Sequence, residues 1–89
     1  MRSQLLAKCD NCQYEVDQIL SKYGVEHPRA RIETSRSKYG FVDIHIMDPD
    51  FVDVELSDRI DAVWKILEEL SEEVLGYLGT MRLRAPGEI

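Results

Sequence analysis

Two cysteines three apart, in Cys9-Asp10-Asn11-Cys12, are the residues of this chain best suited to chemistry. A Cys-x-x-Cys pair can cycle between dithiol and disulfide, or supply half the ligands of a zinc site. Redox pairs of this kind sit where a helix starts after a strand, because the helix dipole lowers a thiol pKa there. Residues 2–23 instead read as one amphipathic helix, with Leu5, Leu6, Cys9, Cys12, Val16, Ile19, Leu20 and Tyr23 on one face. Both cysteines then fall inside a continuous helix that no strand precedes. The expectation is two free, buried, small apolar residues, with a metal or redox role for Cys9 and Cys12 as the alternative. Zinc would need two more ligands, and His27 and His45 are the two histidines available. Free thiols would agree with a reducing compartment.

A second set is basic. Arg29 and Arg31 belong to an alternating stretch, and Arg82 and Arg84 to another. Their parity places all four on the sheet face turned away from the helices, with Arg36 and Lys38 in a nearby turn. Such a surface suits phosphate-bearing ligands, RNA or an acidic protein. His45 shares that open face with Asp43, two residues away, within reach of a hydrogen bond. The acidic run Asp48, Asp50, Asp53, Glu55, Asp58 invites a calcium loop, but Val52, Asp53 and Arg59 stand where such a loop needs an acid, a glycine and a glutamate. No spacing sets a nucleophile beside a base, so the chain does not read as an enzyme.

The elements that position these residues follow from periodicity. Gly24 is the expected stop of the first helix. Arg29 to Thr34 alternates as a half-buried strand, and Ser35 to Gly40 reads as a turn. Phe41 to Met47 is the second strand, with Val42, Ile44 and Ile46 inward and Asp43 and His45 outward. Asp48-Pro49-Asp50 breaks it. Residues 51–56 read as a connector rather than a third hairpin strand. Ser57 suits an N-cap for a helix over residues 58–75, whose apolar stripe is Ile60, Val63, Trp64, Leu67, Leu70, Val74 and Leu75. Gly76 ends that helix, and residues 77–84 form the last strand, with Met81 and Leu83 on one face. The class is α+β: a helix-strand-strand-helix-strand domain whose three-stranded mixed sheet carries its helices on one face. The crossover through the second helix lets the last strand run parallel to the second.

Eighty-nine residues fit a single domain over 1–89. The net charge of −6 argues against a general nucleic-acid binder. The charge is divided: residues 43–73 hold eleven acids and two basic side chains, and the remainder holds nine basic side chains and six acids. That division could orient a partner or a second copy. No apolar run approaches about 20 residues, so no membrane span is expected. The first eight residues lack the apolar run of a signal peptide, which points to a cytoplasmic protein.

The order of elements, with Asp48 and Phe51 in an acidic turn, Arg59, Val63-Trp64, Leu67 and Ala85-Pro86-Gly87-Glu88, resembles the BolA-like family, whose topology is similar to class II KH domains. The resemblance covers about 40 residues at the level of motif. It implies a loop at 51–56 and a habit of binding partners or nucleic acid. The family's Phe-Glu-Gly-Lys-Ser turn is here Phe51-Val52-Asp53-Val54-Glu55, without the glycine. Its cluster-sharing histidines fall at Ile60 and near Tyr77, and its second arginine at Asp61, so metal or iron–sulfur sharing with glutaredoxins is not implied. The combined expectation is a small non-catalytic protein-binding or adaptor domain without a cofactor, acting through its open sheet face or as a homodimer. The alternatives are KH-like nucleic-acid binding through Arg29, Arg31, Arg82 and Arg84, and a metal or redox protein using Cys9 and Cys12.

Overall fold

In the computed structural model, residues 9–88 are described. The elements run α1 (Cys12–Glu26), β1 (Arg31–Arg36), β2 (Val42–Met47), a 3-10 turn (Pro49–Phe51), α2 (Leu56–Leu67), α3 (Glu72–Leu75) and β3 (Leu78–Arg84). The sheet order is β1-β2-β3; β1 lies antiparallel to β2, and β3 parallel to it. The expected α+β class and mixed three-stranded sheet are therefore present.

α1 begins at Cys12, so Cys9 stands before the helix rather than inside it. Residues 2–8 of the expected helix lie outside the described residues. Gly24 does not stop α1. The helix runs on to Glu26, and His27 closes it by donating its backbone N–H to the Tyr23 carbonyl. Pro28 supplies the stop, since it disfavours helical backbone at His27. The inward face of α1 is Cys12, Val16, Leu20 and Tyr23, all buried.

β1 extends through Ser35 and Arg36, which the sequence assigns to the turn, and the turn itself is shorter. In β2 the alternation is as expected, with Val42, Ile44 and Ile46 buried. The connector after β2 holds no strand. Phe51 anchors it in the core, and Asp53 takes φ 64°, a left-handed conformation that aspartate tolerates better than most residues.

The expected helix over 58–75 is two helices. Glu55, not Ser57, precedes the first turn of α2. After Leu67 the chain unwinds so that Leu70 can turn into the core. Ser71 then takes extended backbone and caps α3, its Oγ accepting the Val74 N–H at 3.3 Å.

α2 carries two parallel rows at helical spacing. Arg59, Val63 and Leu67 are the buried row. Ile60 and Trp64, expected in the core, form the outer row with Leu56; they are 37%, 38% and 59% exposed. The rows lie one residue apart, about 100° around the helix, so only one can face the sheet. The chain chooses the row with the arginine.

β3 contains a bulge. Val42 pairs with Leu78 and Ile44 with Met81, so β3 spends three residues where β2 spends two. The Asp43 carboxylate accepts the Thr80 N–H at 2.9 Å and satisfies the displaced backbone. A Cβ on Gly79 would collide with that carboxylate oxygen, so any side chain there would push Asp43 off the Thr80 N–H.

Candidate functional site

The open sheet face is built from the odd-numbered side chains of β1 and β2 and from Thr80, Arg82 and Arg84 of β3, past the bulge. The register stacks them in rows: Arg31, Met47 and Arg84, then Glu33, His45 and Arg82, then Ser35 beside Asp43. Glu33, Asp43, His45, Thr80 and Arg82 help line a shallow depression of about 330 Å³. The arginines are not a basic cluster. Glu33 puts an acid into the second row beside His45, and Asp43 puts one into the third. Arg29 is not on this face. It lies before β1, its side chain is exposed, and its guanidinium is 3.9 Å from Asp50. Arg36 points to the helix side, where it donates to the carbonyls of Gly40 and Cys9 at 3.2 Å. The expected His45–Asp43 bond is absent, because Asp43 is held by Thr80; the buried Nε2 of His45 has no partner among the described residues. A surface of interleaved signs repels a continuous line of phosphates at Glu33 and Asp43, which is poor ground for nucleic acid.

A different surface is apolar. Val52, Leu56, Ile60 and Trp64 make a ridge along the outside of α2 and the turn before it, all exposed. Exposed acids surround it: Asp53, Glu55, Asp58, Asp61 and Glu68; among the described residues of this segment Lys65 is the one exposed cation. Asp58, Asp61, Trp64, Lys65 and Glu68 share one open depression. The acidic segment noticed in the sequence is thus a rim around a large aromatic side chain, not a solvated face without features. Periodicity alone assigned Trp64 to the core and concealed this.

Sequence reasoning also missed a cluster at the end of α1. His27 Nδ1 lies 2.8 Å from Asp50 Oδ2 and 3.2 Å from Asp48 Oδ2. The Tyr23 hydroxyl donates to Asp48, and the Tyr23 ring stacks on His27 at 4.1 Å between centroids. Burial first, and then the bond to Asp48, push the Tyr23 hydroxyl well above its ordinary value, so it stays a donor. His27, Asp48 and Asp50 are close enough together to hold a metal ion. Each carboxylate is already engaged, however. Asp48 also accepts the Asp50 N–H at 2.9 Å, which caps the 3-10 turn. The group pins the connector to α1. Nothing in the spacing of residues 23, 27, 48 and 50 announces it.

Arg59 forms the other polar centre. All five of its N–H groups are used. Nε donates to the Val54 carbonyl at 2.8 Å, Nη1 to Leu83 at 2.9 Å, and Nη2 to Phe51 at 2.8 Å. Nη1 and Nη2 also grip both Glu88 oxygens at 2.7 and 2.8 Å. The hydrogen bond from Arg59, with help from the Ala85 N–H, draws the Glu88 carboxyl down from 4.5 to about 2. A depressed carboxyl pKa stabilises the fold above the unfolded value and loses that contribution as protons bind. The Glu88 contribution is therefore complete above about pH 4.5 and disappears as pH falls toward about 2. Thermal unfolding of the unaltered chain and of Glu88→Gln at stepped pH should show a gap between the two that closes across this window. A gap of constant size would refute the pairing.

Finally, Cys9 and Cys12 are joined as a disulfide. The expectation of two free thiols, and with it a metal role in this state, is corrected. The helix starts at Cys12, so the pair closes the turn that leads into it rather than lying on a continuous face. No family model, curated protein or solved structure matches this chain.

Proposed function

We propose that this domain is a non-catalytic protein-binding module of BolA-like architecture, and that its binding element is the outer ridge of α2. The observation that carries the reading is the exposure of Leu56, Ile60 and Trp64 in one row beside a fully formed core. Large apolar groups that a small domain leaves outside mark interaction surfaces, and tryptophan is the residue most often dominant in them. The acidic rim selects the occupant: an amphipathic segment of another protein whose apolar side chains are flanked by Lys or Arg.

Two features support the architectural part. The motif residues Arg59 and Glu88 meet in a bidentate pair. Asp53, which replaces the family's glycine, holds the left-handed backbone that a glycine would take there. The open sheet face, with its mixed signs, serves as a secondary contact or as solvated surface.

Trp64 is the single tryptophan, so its fluorescence reports on the ridge directly. Titration with a synthetic helix bearing leucines at i and i+4 and lysines beside them should give a saturable blue shift. The same helix with glutamates in place of lysines should give none. Ile60→Asp should weaken the binding about tenfold or more. Absence of a shift, or an equal shift with the acidic helix, rejects the reading. A shift that instead follows the chain's own concentration, together with dimer in sedimentation, would make the occupant a second copy.

A further inference from the structure

The disulfide has an unusual economy. It joins residues three apart whose backbones are already held, since the Cys12 N–H bonds the Cys9 carbonyl at 3.3 Å. A cross-link that closes so small a loop restricts the unfolded chain least, so its worth as a staple is small. It ties no two elements of the fold together. Its placement suits another task.

Cys12 is the first residue of the 15-residue helix α1, and Cys9 stands one turn ahead of it, two residues before the N-cap Asn11. The Asn11 side chain makes no capping hydrogen bond, so no side-chain oxygen from that position occupies the first-turn N–H groups. Unsatisfied N–H groups and the helix dipole favour a thiolate there. The Arg36 guanidinium reaches the Cys9 carbonyl at 3.2 Å and adds a cation within one residue of that sulfur. Asp10 beside it is exposed, where solvent screens its charge. The two cysteines differ in access as well. Cys9 is half-buried, and Cys12 is completely buried in the core against Val16 and its neighbours. Exchange needs one sulfur that a substrate can reach and one held ready behind it.

We propose that Cys9 and Cys12 form a redox couple that exchanges with the dithiols of a protein substrate. A substrate thiolate attacks Cys9 Sγ. A bond forms between the two, the Cys9–Cys12 bond breaks, and Cys12 leaves as a thiolate that takes up a proton. The second substrate thiolate then attacks its own sulfur in the mixed disulfide and releases Cys9 as a thiolate. The substrate has lost two electrons and become a disulfide, and the chain has gained them as a dithiol. A low-molecular-weight disulfide such as glutathione disulfide restores the oxidised chain and is itself reduced to two thiols. The same steps in reverse let the dithiol form reduce a substrate disulfide. This activity is separate from the ridge on α2 and does not depend on it.

The decisive measurement is equilibration of the full chain across a series of glutathione and glutathione disulfide ratios. Acid quenching and a maleimide mass tag then count free thiols. The expected result is one reversible two-electron transition within the series. A bond that stays closed at the most reducing ratio, or thiols that stay open at the most oxidising one, overturns the proposal. Single variants test the asymmetry with an aromatic disulfide reagent. The Cys9 thiol in Cys12→Ala should react about tenfold or more faster than the Cys12 thiol in Cys9→Ala. Equal rates in folded variants would also overturn it. The titration of the unaltered chain uses no substitution, so it decides alone where either variant fails to fold.

Discussion

Arg59→Ala lowers the thermal unfolding midpoint by roughly 10 °C or more, the largest effect of any polar substitution in this domain. Arg59 is only 8% exposed, and its fork satisfies three carbonyls from two places: Phe51 and Val54 in the connector, and Leu83 in β3. Its guanidinium also lies 5.3 Å from the centre of the Phe51 ring. Alanine removes all of these at once. The Phe51 and Leu83 carbonyls, buried with it, lose their partners, and Glu88 loses its counter-ion. Lysine does not rescue the site, because one ammonium cannot reproduce five donors in a fixed plane. Circular dichroism melting of Arg59→Ala and Arg59→Lys checks this. A midpoint for alanine within a degree or two of the unaltered chain would mean that the clamp does not hold the C-terminal segment.

Asp48→Ala costs about 3 kcal/mol of unfolding free energy. The Asp48 carboxylate is 1% exposed and serves the Tyr23 hydroxyl, the Asp50 N–H and His27 together. Removing it leaves a buried phenol without its acceptor and uncaps the 3-10 turn. Asp48→Asn keeps an acceptor for the turn and should lose less. Urea unfolding of both variants gives the comparison. A loss below about 1 kcal/mol for alanine would show that water or His27 replaces the carboxylate. Tyr23→Phe in the Asp48→Ala background separates the phenol's share, since that pair no longer has a bond to break.

These two centres show where sequence reasoning stops. Alternation in β2 was legible because Val42, Ile44 and Ile46 sit between two layers with nothing competing for their positions. The parallel β3 followed from the helical crossover that joins it to β2. α2 was misread for a specific reason. A count of apolar residues prefers the row with Ile60 and Trp64, but the side chain the fold needs inside is Arg59, whose donors close three open carbonyls. Hydrophobic periodicity has no means of scoring that need. Cys9 was misplaced because it falls in phase with Cys12 and Val16, and phase cannot locate the first turn. The motif flagged Arg59 and Glu88 separately, yet their pairing is a tertiary event between residues 29 apart. The His27 cluster had no local signature at all, and Asp43 was assigned to His45 because the bulge that claims it was not foreseen.

The bulge in β3 also bears on how molecules of this chain meet at high concentration. Both outer strands of a three-stranded sheet offer backbone groups to a foreign strand, and regular edges are templates for fibres. At Gly79 and Thr80 the outer rim of β3 is out of step, and Asp43 holds it so. An incoming strand finds uniform spacing only beyond Met81, a run of three residues that holds Arg82 and Arg84. That is too short to seed stacking and carries like charges that would repel their own copies. Among the described residues, the irregularity therefore makes β3 the poorer of the two sheet edges for adding a foreign strand, and β1 the more regular one.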